Sequence, residues 1–181
     1  MAKCLYKTNY LSLMESDRGF FYGERKGIDS SATLCFQKRS DGYYFLIRYQ
    51  LLPIRNKANI SNKLYACCIT GSIEPNETFE ENIIKEVAEE SGFVIDRSLI
   101  IASNVYVATT QMNENVKTFV VDITNSSQKE FHGDGSYFES ISENRWLSSK
   151  QLEAIIYDNS EPYLVNLYIA YDLFKRKVLG R

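Results

Sequence analysis

Three glutamates in the middle of the chain are spaced so that they would share one face of a helix. Glu86, Glu89 and Glu90 occupy positions i, i+3 and i+4 of a segment, residues 78–91, whose pattern predicts a helix. Their Cβ atoms would be about 5–6 Å apart, and carboxylates at that separation repel one another. A hard divalent cation such as Mg²⁺ would reverse this penalty, because it prefers oxygen ligands. The pattern indicates a candidate metal site, with a solvated acidic helix face as the alternative.

The boundaries of this helix are marked by residues that favour helix starts and stops. Thr78 and Glu81 fit a capping box, and Gly92 suits the position after the last turn. Before the helix, an apolar strand is predicted over residues 64–69, and Gly71 follows it closely. The sequence thus predicts a strand, a compact loop and a helix that returns over the sheet.

The loop that joins this strand to the helix is acidic as well. Asn76 tolerates the left-handed backbone conformation that a compact loop needs. Glu74 and Glu77, on either side of it, would then come within reach of the helix carboxylates. Lys85 is the one basic residue between Glu74 and Glu90, so the segment carries a strong local negative charge.

Taken together, these residues resemble the signature segment of the Nudix hydrolase family. The positions in register are Gly71, Glu77, Glu86, Val87, Glu89, Glu90, Gly92 and Phe93. Lys85 stands where the family usually has arginine. The resemblance implies an α/β/α sandwich built on a mixed β-sheet. It also implies an enzyme that hydrolyses a nucleoside diphosphate linked to another group. The reaction would depend on Mg²⁺, with Mn²⁺ as a substitute, and its products would be a nucleoside monophosphate and a phosphorylated remainder.

The resemblance further implies roles for individual side chains. By that analogy Glu86, Glu89 and Glu90 are the metal ligands. Glu77 would support the metal site or a bound water, and Lys85 would hold a glutamate in place through a charged hydrogen bond. Lysine keeps the charge of the usual arginine but loses its two-pronged hydrogen bonding, so we expect a looser orientation.

The general base of this family often comes from a loop near the end of the sheet. Glu139 and Glu143, close to the polar loop that contains residues 133–136, are the candidates, with Glu114 as a third. An ordinary surface acid is the alternative interpretation for each of them.

The substrate class is indicated by a second stretch of sequence. Residues 47–53 resemble a strand end of the ADP-ribose pyrophosphatase type within the family, with Arg48 retained. Arg48 and Arg55 would hold the distal phosphate by charged hydrogen bonds, and Gly71 would border the substrate. An ADP-sugar such as ADP-ribose is the expected substrate. Another nucleoside diphosphate derivative, or an oxidised nucleoside triphosphate, is the alternative.

Two other classes of function compete with this enzyme hypothesis. Loss of a metal glutamate would favour a non-catalytic Nudix-fold module that senses a nucleotide or regulates a partner, and all of these glutamates are present. A nucleic-acid-binding domain would need a basic stripe, whereas the chain has 21 lysines and arginines against 23 aspartates and glutamates. The sequence favours an enzyme that acts on a small nucleotide derivative and has no nucleic-acid partner.

The elements that would position these residues form a pattern typical of a mixed α/β protein. The 181 residues are expected to form one domain, with an antiparallel strand extension over 1–30, a catalytic core over 31–157 and a C-terminal helix within 158–181. Strands are predicted over residues 20–22, 31–36, 43–49, 64–69, 93–95, 99–108, 116–123 and 144–147. Helices are predicted over 78–91, 148–157 and 162–179, and loops over 53–63 and 124–140.

Cysteine usage and hydropathy indicate where the protein works. Cys4, Cys35, Cys67 and Cys68 have no metal-binding spacing and are expected to be small buried side chains in a reducing compartment. No segment approaches the roughly 20 apolar residues of a membrane span, and no signal-peptide pattern is present. We therefore predict a cytoplasmic protein with no membrane partner. The family resemblance also implies a homodimer in which the two copies pair through their N-terminal strands.

Overall fold

Two β-sheets organise the chain, a small one at the N-terminus and a larger central one. The computed structural model describes residues 1–52, 63–130, 137–158 and 162–181, and for residues 138 and 139 it describes the backbone only. The strands in these ranges are β1 (Lys3–Lys7), β2 (Leu11–Glu15), β3 (Phe21–Arg25), β4 (Ser30–Arg39), β5 (Gly42–Leu51), β6 (Leu64–Cys67), β7 (Ile69–Ser72), β8 (Ile100–Val107), β9 (Asn115–Asp122) and β10 (Glu143–Ser148). The helices are α1 (Phe79–Ser91), α2 (Tyr137–Ser140), α3 (Ser149–Tyr157) and α4 (Val165–Phe174), with a 3-10 turn at Arg97–Leu99 and a π-helical turn at Lys175–Leu179.

The central sheet is mixed, as the sequence predicts. Its strand order is β10-β5-β4-β9-β8, with β6 added to β5 and β7 added to β4. Strand β4 runs parallel to β9, and the other pairs are antiparallel. The small sheet has the order β1-β2-β3 and is antiparallel, which confirms the predicted strand extension.

Helices cover both faces of the central sheet. Because successive side chains of a strand point to opposite faces, β4 supplies Ala32, Leu34 and Phe36 to one apolar cluster and Cys35 to another. The first cluster also contains apolar side chains of α3 and α4, and the second contains Ile83 of α1. The predicted α/β/α sandwich is therefore confirmed.

The observed elements differ from the predicted ones at several places. Within the predicted strand extension, residues 20–22 are the one strand that the sequence pattern locates. It does not locate β1, which has no buried side chain, or β2, whose side chains are exposed or half-buried. The predicted strand over 64–69 is divided at Cys68, because the chain leaves β5 there and joins β4. The strand predicted over 93–95 is wrong, since Phe93 makes one isolated bridge to Gln128. The end of the loop predicted over 124–140 is helical, as α2.

The cysteines match their predicted environment in three cases. Cys35, Cys67 and Cys68 are buried free thiols, whereas Cys4 is exposed, which corrects the prediction for that residue. Burial raises the pKa of the Cys35 thiol to about 12, so this thiol stays protonated at neutral pH. Among the described residues, no helix combines the length and the apolar character that crossing a bilayer requires.

Helix α1 begins and ends as its sequence predicts. The hydroxyl of Thr78 accepts a hydrogen bond from the Glu81 amide at 3.2 Å, and the Glu81 carboxylate accepts one from the Thr78 amide at 2.9 Å. Gly92 ends the helix with φ at 75°, a conformation that costs glycine little. Asn76 in the preceding loop has φ at 68°, the left-handed conformation expected of it.

Thr78→Ala is expected to lower the free energy of unfolding by about 1 kcal/mol, because it removes the side-chain acceptor at the start of α1. Chemical denaturation followed by circular dichroism measures this change. Ser103→Ala, at an exposed position of β8, is the matched control and should change the value by under about 0.5 kcal/mol. Equal stabilities of the two variants would show that the capping contact contributes nothing.

Candidate active site

The acidic side chains of α1 lie along the border of its buried stripe. The buried residues of the helix are Asn82, Ile83, Val87 and Ser91. Glu86 and Glu90 each precede one of these residues and are half-buried, whereas Glu89 is exposed. The spacing that placed three glutamates near one another also gives them different environments.

Glu90 is held by a buried arginine. Arg48 Nε lies 3.2 Å from Glu90 Oε2, and the two side chains are 4% and 13% exposed. Arg48 belongs to β5, where it lies between Cys67 of β6 and Asn144 of β10. Solvent screens so buried a charge pair weakly, so each partner restrains the orientation of the other.

The last turn of α1 is tied to its surroundings by side-chain amides. Asn144 Nδ2 donates to the backbone carbonyl of Glu90 at 2.6 Å. Gln128 Nε2 donates to the carbonyl of Ser91 at 2.9 Å. These bonds satisfy carbonyls that a helix end leaves without intrahelical partners, and they fix the position of Glu90 and the neighbouring Glu89.

Glu86 packs directly against the backbone of β7. A Cβ atom placed on Gly71 would lie within 3.0 Å of Cγ, Cδ and Oε1 of Glu86. Gly71 does not have a positive φ, so glycine is needed here for space and not for backbone conformation. The match of Gly71 to the signature segment thus has a physical reason, which is the close approach of Glu86.

Glu77 is fixed by partners in the loop and at the start of α1. Its Oε2 accepts hydrogen bonds from the Glu74 amide at 3.0 Å and from Asn82 Nδ2 at 2.9 Å. Its Oε1 lies 3.6 Å from Lys85 Nζ, which also bonds Glu74 at 3.0 Å. The hydrogen bond that Lys85 donates to the Glu74 carboxylate raises the pKa of the Lys85 ammonium above its usual value. Lys85 therefore lies between the two loop glutamates.

Asn82 is a site residue that the sequence analysis misses. It is fully buried, accepts a hydrogen bond from Ser31 Oγ at 2.5 Å and donates to the Ser72 carbonyl at 3.1 Å. Together with its bond to Glu77, these contacts connect the helix, β4 and β7. The signal in the sequence is an amide within the apolar stripe of an amphipathic helix, because a buried amide needs partners.

The carboxylates of α1 match the donor chemistry of a hard divalent cation. Glu86, Glu89 and Glu90 supply only oxygen, and the last turn of the helix contains no basic residue. Within the described ranges, no three acidic, thiol or imidazole side chains are close enough as they stand to hold a metal ion. The helix therefore supplies a fitting donor set, and three carboxylates would meet on one ion only after side-chain rotation.

The residues predicted as general bases or phosphate ligands are described only in part. Glu143, at the start of β10, is exposed and forms an ion pair with Arg145. Glu139 lies in α2 with its backbone alone described, and Arg55 lies outside the described residues. Arg48 is 3% exposed, so its guanidinium is buried beside Glu90 and does not face solvent.

A cavity of about 420 Å³ opens beside Gly71. Small-molecule sites have volumes of about 300–1,000 Å³. One wall contains an ion pair between Arg25 and Glu114 at 3.2 Å, and Ser30 Oγ donates to the same carboxylate at 2.6 Å. Gly71 lines this cavity and is also approached by Glu86, whereas none of the described lining residues belongs to α1.

Similarity to known proteins identifies the family to which this chain belongs. Residues 31–167 match the family model of the NUDIX domain. Among solved structures, a crystal structure of an ADP compounds hydrolase is similar, with a TM-score of 0.65 over 98% of this chain and 94% of that one. Sequence identity to it is 13%, so the likeness concerns the fold. No curated protein sequence matched the chain.

Proposed function

The chain belongs to the NUDIX domain family, and from that premise we propose that it is a pyrophosphohydrolase that cleaves the diphosphate bond of an ADP-sugar such as ADP-ribose. The products would be AMP and a phosphorylated sugar. The observation that carries the proposal is the close approach of Glu86 to Gly71, which also lines a cavity of about 420 Å³. A substrate in that cavity that extends past Gly71 would bring its diphosphate to Glu86.

We propose Glu86, Glu89 and Glu90 as the residues that hold Mg²⁺, with Mn²⁺ as a substitute. When bound, such an ion neutralises diphosphate charge and lowers the pKa of a bound water. Arg48 would act as a positioning residue, because its guanidinium restrains Glu90 and is too buried to meet a phosphate. Glu77 would support the metal site, held in place by its bonds to Asn82 and Lys85.

We propose Glu143 and Glu139 as the candidates for the general base, with Glu114, whose carboxylate pairs with Arg25, as the third. Glu143 is exposed and would have to leave Arg145 to accept a proton from water. Glu139 is the second candidate, and Arg55 is still proposed as a phosphate ligand. A pH profile of kcat for Glu143→Gln and Glu139→Gln assigns the base, since loss of the base removes the acidic limb of the profile.

The proposed reaction is tested with a panel of substrates in the presence of Mg²⁺. ADP-ribose, other nucleotide sugars, dinucleotides and nucleoside triphosphates, including oxidised ones, are incubated with the protein, and monophosphate release is measured by chromatography. We expect the highest kcat/KM for an ADP-sugar. A preference for triphosphates would contradict the proposed substrate, and no turnover on any compound would favour a nucleotide-sensing module.

Gly71→Ala is expected to lower kcat for the best substrate by about 10- to 100-fold, because its Cβ displaces the Glu86 carboxylate, and supports of metal ligands have effects of this size. The fold should survive, since the obstructing atoms belong to a flexible side chain. Gly23→Ala, in the small sheet, is the matched control. Its Cβ would likewise meet the end of a flexible side chain, because it would lie 2.8 Å from the Met112 sulfur. An unchanged kcat in Gly71→Ala would show that the Glu86 position is unimportant.

We also propose that residues 1–181 act as one domain and form a homodimer. The small sheet joins the central part through Gly23, whose amide donates to the Gln111 carbonyl at 2.8 Å. Its strands expose the large apolar side chains Leu5, Tyr6, Leu11, Leu13 and Phe21, which supports a partner on that surface. Light scattering gives the oligomeric state.

The free buried thiols support a reducing, cytoplasmic location.

A further inference from the structure

The cavity beside Gly71 contains a buried hydrogen-bond acceptor without a partner. Asn166, the second residue of α4, lines the cavity and is 9% exposed. Among the described residues, its Oδ1 atom is buried and accepts no hydrogen bond. Leaving such an oxygen unpaired destabilises the protein, because the lost hydrogen bond to water is not replaced. The oxygen has almost no accessible surface, so a ligand in the cavity would meet it after the Asn166 side chain turns toward the cavity. An unsatisfied acceptor on a lining residue favours a ligand that donates a hydrogen bond to it.

The start of α4, which carries Asn166, is anchored to the central sheet. The Leu164 amide, at the N-cap of the helix, donates to the Ala66 carbonyl of β6 at 3.3 Å. Leu167, the residue after Asn166, is fully buried, and its amide donates to the Leu164 carbonyl at 3.0 Å. These bonds fix the backbone position from which the Asn166 side chain would reach a ligand, which lowers the conformational entropy lost on binding.

The charges of the lining favour an uncharged ligand group over a phosphate. Among the described residues that line the cavity, Arg25 is the one cation and Glu114 is the one anion. The two form an ion pair with each other, so their charges compensate. Tyr106, Ala108 and Val116 add aromatic and apolar surface to the walls. Such a lining suits the flat, uncharged ring of a nucleobase.

We propose that this cavity binds the nucleobase of the substrate and that Asn166 selects adenine through its 6-amino group. The amide oxygen would accept from the amino group and the amide nitrogen would donate to ring N7, the pairing that asparagine makes with adenine. A 6-oxopurine presents two acceptors on that edge, so one of them faces the amide oxygen in either amide orientation. The assignment to a base rests on the proposed function, since the diphosphate is placed at Glu86.

Calorimetric titration of the full chain with AMP and with IMP, without metal, tests the proposal, because the two nucleotides differ at position 6. We expect AMP to bind about tenfold tighter, within the range of 5- to 150-fold that such a pair gives. Asn166→Leu should bring the ratio of the two affinities to about one. Asn104→Leu, at an exposed position of β8, is the matched control and should leave the ratio unchanged.

Equal affinities in the unmodified protein, absence of AMP binding, or a ratio retained in folded Asn166→Leu would each overturn the proposal. If Asn166→Leu does not fold, purine riboside 5′-monophosphate, which lacks the 6-amino group, replaces it as the probe. That nucleotide should bind more weakly than AMP, because it lacks the donor, and binding as tight as that of AMP would overturn the proposal.

The two proposals fail in different ways, because this titration needs no turnover. Selective AMP binding with no hydrolysis of any diphosphate compound contradicts the proposed reaction and leaves the role of Asn166 intact. Hydrolysis of adenine and hypoxanthine substrates with equal kcat/KM, together with equal AMP and IMP affinities, contradicts the role of Asn166 alone.

Discussion

Glu89→Gln is expected to lower kcat for the best nucleotide-sugar substrate by about a thousandfold, which corresponds to about 4 kcal/mol of transition-state stabilisation. The substitution removes one negative charge and one carboxylate from the proposed ligand set while keeping the shape of the side chain. Glu89 is exposed on α1, so the fold should be unchanged. Steady-state kinetics at saturating Mg²⁺ measures the loss, and thermal unfolding confirms that the variant is folded.

Glu130→Gln is the control for this substitution, since it makes the same change of charge at another exposed glutamate. Its kcat should stay within about twofold of the unmodified protein. A second readout is the apparent affinity for Mn²⁺, measured by calorimetry, which Glu89→Gln should weaken by at least about tenfold. A Glu89→Gln enzyme with normal turnover and normal Mn²⁺ affinity would contradict the metal-ligand assignment.

The parts of the site that sequence predicts are those that depend on neighbours in the chain. The capping box of Thr78 and Glu81, the left-handed Asn76 and the stop at Gly92 each follow from contacts within a few residues. The spacing of the helix glutamates is local for the same reason. These features were predictable because helix geometry fixes distances between residues three and four positions apart.

The parts that sequence does not predict depend on contacts between distant segments. The sequence predicts Arg48 as a phosphate ligand. Only the pairing of β5 with its neighbouring strands shows that the Arg48 side chain is buried against Glu90. Asn166 belongs to a helix with no feature that indicates a site. The wrong strand prediction over 93–95 has a related cause. Phe93 and Ile95 are buried in an apolar cluster without belonging to a strand, and a buried loop segment and a buried strand have the same apolar sequence pattern.

Arg48→Met is expected to lower the free energy of unfolding by about 3 kcal/mol, because it leaves the Glu90 carboxylate in a poorly solvated place without its cation. The double variant Arg48→Met, Glu90→Gln should recover much of the loss, since no unpaired charge remains. Urea denaturation of both single variants and the double variant closes a thermodynamic cycle for the pair. The contact at 3.2 Å predicts a coupling free energy well above that of surface pairs.

Arg145→Met supplies the comparison, because Arg145 pairs with Glu143 where both side chains are about half exposed. Its effect on stability should stay below about 1 kcal/mol, as exposed ion pairs contribute little. If Arg48→Met cost as little as Arg145→Met, the Arg48–Glu90 pair would not restrain Glu90 and its positioning role would be wrong. If the double variant were stable but its kcat remained low, Glu90 would be required for turnover independently of its contribution to the fold.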